Sequence, residues 1–109
     1  MSRHFFDCEL RWSVRVTLGY NPGREDFYLE VERMGGDHGH GHLRWVYSSI
    51  HDLFDGGADL DYYRERLVKL GLSIPDSMFE AVKEDAACGQ ADRCAQHFAD
   101  GRIVEDAAD

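Results

Sequence analysis

The stretch DCELRWSVRVTL, residues 7 to 18, decides the fold prediction, because apolar and polar residues alternate along its whole length. Successive side chains of a β-strand point to opposite faces of the sheet, so a period of two predicts a strand with one buried and one wet face. The apolar set is Cys8, Leu10, Trp12, Val14, Val16 and Leu18. We therefore expect one long strand over residues 7 to 18.

Two more strands are predicted downstream of this stretch. In the turn GYNPGRED, Pro22 presets the backbone angle φ of the second turn position, and Gly23 supplies the positive φ of the third. The return strand FYLEVERM, residues 27 to 34, then places Arg15 opposite Glu30 or Glu32. A third strand, LRWVYSS at residues 43 to 49, completes an antiparallel meander.

The second half of the chain carries helical signals. Asp59 is a suitable N-cap for LDYYRERLVKL, and Gly71 stands where that helix should end. A second helix begins near Pro75 and ends at Gly89. Residues 91 to 99 extend this helix or start a third, with Cys94 and Phe98 facing inward, and a further strand at residues 101 to 105 stays open.

These elements predict a single α+β domain over residues 1 to 109. A three-stranded antiparallel β-meander is followed by two or three short helices packed on one face. Residues 1 to 50 form the sheet in this prediction, residues 51 to 100 the helical part, and residues 101 to 109 a tail.

The net charge of −9, from 21 acidic and 12 basic residues, restricts the classes of partner. It argues against direct binding to nucleic acid or to an anionic membrane and favours a cationic protein partner. The charge is concentrated in residues 55 to 109, which hold thirteen acidic residues against six basic ones.

Cysteine usage and hydropathy predict the compartment. Cys8, Cys88 and Cys94 form no even framework and no C-x-x-C pair, which favours a reducing environment. The start of the chain has no apolar run of signal-peptide length, and no segment approaches about 18 consecutive apolar residues. We expect a soluble cytoplasmic protein.

An acidic stripe marks the second predicted helix. Asp76, Glu80 and Glu84 recur every four residues and are joined by Asp85, while Asp55, Asp59 and Asp61 lie upstream. Like charges at this spacing destabilise a helix by a few tenths of a kcal/mol, so helix stability does not explain them. Two explanations stay open: solubility, or mimicry of a phosphate track that occupies a Lys/Arg surface built for DNA or RNA.

The run DHGHGH, residues 37 to 42, is a candidate metal site. His38, His40 and His42 project to the same side of an extended segment and could bind Zn²⁺, Ni²⁺ or Cu²⁺, with Asp37 as a fourth ligand. The glycines between them make the segment costly to order, so a mobile connection between strands is the alternative.

Two further groups carry little chemical information. The spacing of Cys88, Cys94 and His97 matches no zinc pattern, so packing is the favoured explanation. Catalytic triads are assembled by the fold and not by sequence adjacency, which leaves the neighbouring Ser48, Ser49, His51 and Asp52 uninformative. With no G-x-S-x-G, phosphate-binding loop or H-E-x-x-H motif, the sequence predicts no enzyme and no resident cofactor.

At YLEVERM, WVYSS and YRERLVKLGLSIPDSMFEAVKED, within residues 27 to 86, the chain resembles small proteins of proteobacterial mobile elements and prophages. Small acidic proteins in that setting include anti-CRISPR proteins, some of which resemble DNA electrostatically and block the DNA-binding surface of an effector complex. The resemblance implies a counter-defence inhibitor and carries over no catalytic residue.

The sequence thus predicts three functions in order. The first is a cytoplasmic protein that occupies the nucleic-acid-binding surface of a basic partner. The second is a small metal-binding protein that uses His38, His40 and His42. The third is a homo-oligomeric structural protein that associates through the wet faces around Tyr28 and Met34.

Overall fold

The computed structural model describes residues 2–9, 13–34, 45–49, 59–89 and 93–105. Its elements are, in chain order, β1 (Ser2–Glu9), β2 (Ser13–Asn21), β3 (Asp26–Arg33), β4 (Trp45–Ser48), α1 (Leu60–Lys69), α2 (Asp76–Cys88), β5 (Arg93–His97) and β6 (Ile103–Glu105). The strands form one sheet in the order β4-β3-β2-β1-β5-β6. β1 and β5 are parallel, and the other neighbouring strands are antiparallel.

The predicted three-stranded meander with helices on one face is therefore wrong, because the sheet is mixed and has six strands, with two helices in the described residues. The main cause lies in residues 7 to 18, which belong to two strands. The hairpin pairs Phe6 with Val16 and Cys8 with Val14. This register puts even-numbered residues opposite even-numbered ones, so they share a face in the hairpin just as in one long strand. Alternation could not reveal the reversal between Glu9 and Ser13.

The other difference lies at the end of the chain, where β5 and β6 replace the predicted helix at residues 91 to 99 and the predicted tail. The helix-facing positions of β5 are Arg93, Ala95 and His97, because Ala95 pairs with His4 of the core-facing side of β1. Because β5 buries polar side chains, its sequence shows no apolar alternation, and the alternation therefore predicts no strand there. The division into a sheet at 1 to 50 and a helical part at 51 to 100 does not hold.

Both predicted helices are confirmed. The carboxylate of Asp59 accepts a hydrogen bond of 2.8 Å from the amide of Tyr62 and so caps α1. Gly71, just past the end of α1, and Gly89, at the end of α2, have φ angles of 78° and 65°. These left-handed conformations are easily adopted by glycine, and they end helices in the predicted manner.

The hairpin between β2 and β3 is confirmed, and Arg15 lies opposite Glu32. The turn differs from the prediction in one respect. Positive φ falls on Glu25, at 55°, and not on Gly23. Gly23 instead donates its amide hydrogen to the side-chain oxygen of Asn21, as in an Asx-turn.

The core lies between the helices and one face of the sheet. Its buried apolar residues include Val14, Val16, Leu18, Leu29 and Val31 of the sheet and Leu60, Tyr63, Leu67, Met78, Phe79 and Val82 of the helices. Each such side chain stabilises the fold by roughly 1.5–3 kcal/mol. In the same layer, where β1, β5 and α2 meet, the buried residues include the polar side chains of His4, Asp85 and His97. Neither of the helices in the described residues is long and apolar enough to cross a bilayer.

Candidate functional site

A continuous chain of four polar side chains, three of them buried, connects the two ends of α2 through the sheet. Ser77 Oγ lies 2.9 Å from His97 Nδ1, His97 Nε2 lies 2.9 Å from His4 Nδ1, and His4 Nε2 lies 2.6 Å from Asp85 Oδ2. Both imidazoles are fully buried, and Asp85 is 2% exposed. We call these four side chains, Ser77, His97, His4 and Asp85, the buried relay.

The fold places each member of the buried relay. His4 and His97 lie on the helix-facing side of the parallel strands β1 and β5, two positions apart in register. Ser77 is in the first turn of α2 and Asp85 in its last complete turn, about 12 Å apart along the helix axis at a rise of about 1.5 Å per residue. The two imidazole rings bridge this distance, so they join the sheet to both ends of one helix.

The carboxylate of Asp85 fixes the direction of every hydrogen bond in the relay. Ionised, it only accepts, so His4 donates through Nε2–H. With His4 neutral, His4 Nδ1 must accept from His97 Nε2–H. His97 Nδ1 is then an acceptor, and the hydroxyl of Ser77 donates to it. A serine hydroxyl therefore faces the lone pair of a neutral imidazole.

Burial sets the protonation states on which this pattern depends. Burial, together with the nearby His4 and Arg93, lowers the pKa of His97 to about 4. Burial also lowers the pKa of His4, although the hydrogen bond to Asp85 opposes that shift. Burial alone would raise the pKa of Asp85, but hydrogen bonds from His4, Arg93 and Ser2 outweigh it and lower the pKa. At pH 7 the relay holds two neutral rings and one carboxylate.

Arg93 balances that buried negative charge. Its guanidinium donates to Asp85 Oδ1 at 2.9 Å and binds Glu105 through two nitrogens, at 3.1 and 2.9 Å. Such bidentate, charge-assisted pairs are stronger than neutral hydrogen bonds. The Glu105 contact raises the pKa of Arg93, so the guanidinium stays charged beside the relay. It also ties β6 to β5.

A cleft of about 480 Å³ adjoins the relay at the carboxyl ends of β1 and β5. It is lined by Phe6, Asp7, Gln96, His97, Phe98 and Ala99. Sheets with parallel strands commonly bind ligands at that end of the strands. His97 is the residue that the cleft and the buried relay share.

The predicted acidic residues are distributed over surface, interior and the undescribed part of the chain. Glu80 and Glu84 are exposed on α2, and Asp61 is exposed on α1. Asp76 is 79% exposed and bonds to Arg64 at 3.1 Å, and Asp59 caps α1. Asp85 points inward, which removes it from the predicted contact surface. Asp55 lies outside the described residues.

The other candidate groups are not brought together. His38, His40 and His42, with Asp37, lie outside the described residues, as do His51 and Asp52. Cys94 and His97 are on opposite faces of β5, so they share no site, and Cys88 is exposed. No group of three or more His, Cys, Asp or Glu that could hold a metal ion is present in the part of the chain that the structure describes.

Sequence reasoning missed the buried relay, although two signals for it were present. Extending the alternation of residues 7 to 18 back toward the start puts Phe6 and His4 on the buried face. Asp85 follows Val82 by three positions and so falls on the apolar stripe of α2. A histidine and an aspartate at positions expected to be buried each require a polar partner.

Tyr28, predicted near an association surface, is also buried. Its side chain covers Gly19, and its hydroxyl donates to the carbonyl oxygen of Ser2 at 2.7 Å.

Comparison with protein-family models, with curated proteins and with solved structures finds no match to this chain.

Proposed function

We propose that the protein is a cytoplasmic inhibitor that binds a basic, nucleic-acid-handling partner through an acidic helix face, defined as Asp59, Asp61, Asp76, Glu80 and Glu84. The observation that supports it best is the exposure of Glu80 and Glu84 and the lack of an ion-pair partner for either among the described residues. The two residues lie one turn apart on α2.

Some other carboxylates of the described residues are paired within the chain. Asp7 binds Arg15 at 2.7 Å, and Glu105 binds Arg93 at 2.9 Å. Two like charges four residues apart, such as Glu80 and Glu84, lower helix stability by a few tenths of a kcal/mol when no opposite charge lies beside them. A partner that supplies Lys or Arg side chains would remove this repulsion and provide electrostatic steering.

The spacing of the acidic helix face suits a surface that binds phosphates. Residues four apart in a helix are separated by about 6 Å along the axis, whereas phosphates of one DNA strand follow at about 3.4 Å. The face therefore presents charge at roughly half the density of one strand, which is enough to meet every second cation of a phosphate-binding track. Occupation of that track would exclude nucleic acid, which is the mode of action expected of a DNA mimic.

Charge reversal with a matched control tests the proposal. The protein is immobilised, exposed to a lysate of its native host and washed at low and then high salt, and the eluted proteins are identified by mass spectrometry. We expect a nucleic-acid-binding protein that elutes with salt, because screening shortens the range of exposed charges from about 10 Å at 0.1 M to about 3 Å at 1 M.

The variant E80K/E84K should lower the amount of this partner about tenfold or more. The control E9K/E25K changes the net charge by the same amount at exposed positions of β1 and of the β2–β3 turn, and it should retain the partner. DNA or RNA added as competitor should displace the protein. Equal binding by both double variants, or a partner that is indifferent to nucleic acid, would show that the acidic helix face serves only solvation.

A further inference from the structure

We propose that Ser77 is a nucleophile that accepts acyl groups from small carboxylic esters, with His97 as its general base. The inference rests on the buried relay and on the cleft beside it. It does not depend on the acidic helix face.

The distances match those required for an activated serine. Nucleophile and base should lie about 2.6–3.2 Å apart, and a third group should orient the base. Ser77 Oγ and His97 Nδ1 are 2.9 Å apart, and the other nitrogen of His97 is 2.9 Å from His4. His4 is in turn held by Asp85. The arrangement follows the serine–histidine–carboxylate pattern with one imidazole inserted between base and carboxylate.

The inserted imidazole gives the proton a route toward a negative charge. A buried neutral His97 alone would be a weak base, because a proton gained in the interior is poorly solvated. When His97 Nδ1 takes the proton of Ser77, its Nε2 proton can pass to His4 Nδ1. The positive charge then lies on His4, 2.6 Å from a carboxylate oxygen of Asp85. His4 and Asp85 act as positioning residues, since neither contacts Ser77.

The surroundings of Ser77 suit the oxyanion of acyl transfer. The residue preceding α2 is Pro75, which has no side-chain oxygen to cap the helix. The Met78 amide donates to the Pro75 carbonyl at 3.1 Å, so the amides of Asp76 and Ser77 are the candidate donors to an oxyanion. Ser77 itself is partly exposed, while the imidazole that faces it is fully buried. The adjoining cleft of about 480 Å³ is lined by Phe6 and Phe98, which favours an apolar acyl or aryl group.

The reaction is a two-step acyl transfer. Ser77 Oγ attacks the carbonyl carbon of the ester while its proton moves to His97 Nδ1. The bond from that carbon to the leaving oxygen then breaks, the leaving oxygen takes the proton from His97, and an acyl-Ser77 ester remains. In the second step, a water oxygen bonds to the acyl carbon while His97 Nδ1 takes a water proton. The bond from that carbon to Ser77 Oγ then breaks, Oγ takes the proton from His97, and the carboxylic acid is released. No oxidant or reductant is required.

Two probes test this inference on the full chain. A fluorophosphonate should form one covalent adduct, which intact mass and peptide mapping locate on Ser77. p-Nitrophenyl acetate should be hydrolysed with release of p-nitrophenol. We expect S77A to abolish the adduct and to lower ester hydrolysis roughly 10²–10⁴-fold, the usual contribution of a nucleophile with its general base.

Two variants separate chemistry from folding. S73A, at an exposed serine four residues before Ser77, is the matched control and should retain both activities. D85N should lower both while the protein stays folded by circular dichroism, because an amide reverses the hydrogen bonds of the relay. If the unmodified protein reacts with neither probe, or if S77A hydrolyses the ester as fast as the unmodified protein, Ser77 is not a nucleophile and the buried relay is structural.

Discussion

Replacement of Asp85 by asparagine should invert both imidazole tautomers of the buried relay. An amide offers one oxygen and one NH₂ in place of two acceptor oxygens. Arg93 has only donors, so the new oxygen must face Arg93 and the new NH₂ must face His4 Nε2. His4 then carries its proton on Nδ1 and donates to His97, whose Nδ1–H donates to Ser77.

The magnitude follows from the two hydrogen bonds that lose a charged acceptor. Hydrogen bonds to charged groups contribute about 1.5–3 kcal/mol, whereas neutral ones contribute about 0.5–1.5 kcal/mol. His4 and Arg93 each contact Asp85 within 2.9 Å, so D85N should lower the free energy of unfolding by about 2–3 kcal/mol. Truncation to alanine should cost at least as much, because it leaves the buried Nε2–H of His4 without an acceptor.

Urea denaturation and NMR measure the two effects separately. With a urea m-value of about 1–3 kcal/mol/M, the unfolding midpoint of D85N should fall by about 1–2 M at pH 7. Nitrogen-15 shifts of the imidazole rings should show the proton on Nε2 of His4 in the unmodified protein and on Nδ1 in the variant. The exposed neighbour supplies the control, since E84Q should leave both the midpoint and the tautomers unchanged.

A D85N midpoint within about 0.3 M of the unmodified protein would refute the reasoning, since so small a shift corresponds to less than about 1 kcal/mol. An unchanged His4 tautomer in the variant would equally contradict it, because it would mean that Asp85 does not set the direction of the hydrogen bonds.

Three further predictions concern acid stability, one close contact and one helix cap. Burial lowers the pKa of His97 from 6.5 to about 4, so the unfolded state binds more protons than the folded state between these two pH values. The free energy of unfolding should therefore be highest above pH 6.5 and fall by about 3 kcal/mol toward pH 4. A urea midpoint that does not change across that range would contradict this. G19A should cost about 2–3 kcal/mol, because its methyl group would overlap the backbone carbonyl oxygen of Ser2 and the ring of Tyr28. G23A, measured in the same way, should change stability by less than about 1 kcal/mol. D59A should cost about 1 kcal/mol in thermal or urea unfolding through loss of the α1 cap, and an unchanged midpoint would show that solvent replaces it.

Local patterns were sufficient for the helices and for the β2–β3 hairpin. Asp59, Gly71 and Gly89 mark helix ends through hydrogen bonds and φ angles that their neighbours alone determine. The pairing of Arg15 with Glu32 follows equally from local alternation on two adjacent strands. In each case the physical cause lies within a few residues of the signal.

The remaining strands could not be predicted from local patterns, because the residues that stabilise them are distant in sequence. A hairpin of even register preserves the alternation of residues 7 to 18, so only the pairing itself reveals two strands. β5 contains the buried His97, whose two ring nitrogens are hydrogen-bonded by His4 of β1 and Ser77 of α2. Asp85 was assigned to an acidic surface for the same reason, since its partners on β1 and β5 are invisible in the helix sequence.

The position of β1 between β2 and β5 has a consequence for how the protein folds. β2 reaches β1 by closing a loop of a few residues, whereas β5 pairs with β1 across about ninety residues. Loop-closure entropy then costs roughly 1 kcal/mol for the first contact and roughly 4 kcal/mol for the second, apart from a shared constant. We therefore expect the β1–β3 hairpins to form in the transition state and β5 to dock afterwards, with φ-values near zero at Ala95. Until β5 docks, His4 lacks its hydrogen-bond partner His97. β5 therefore both pairs with β1 and provides the imidazole that holds the His4 side chain of β1 in place.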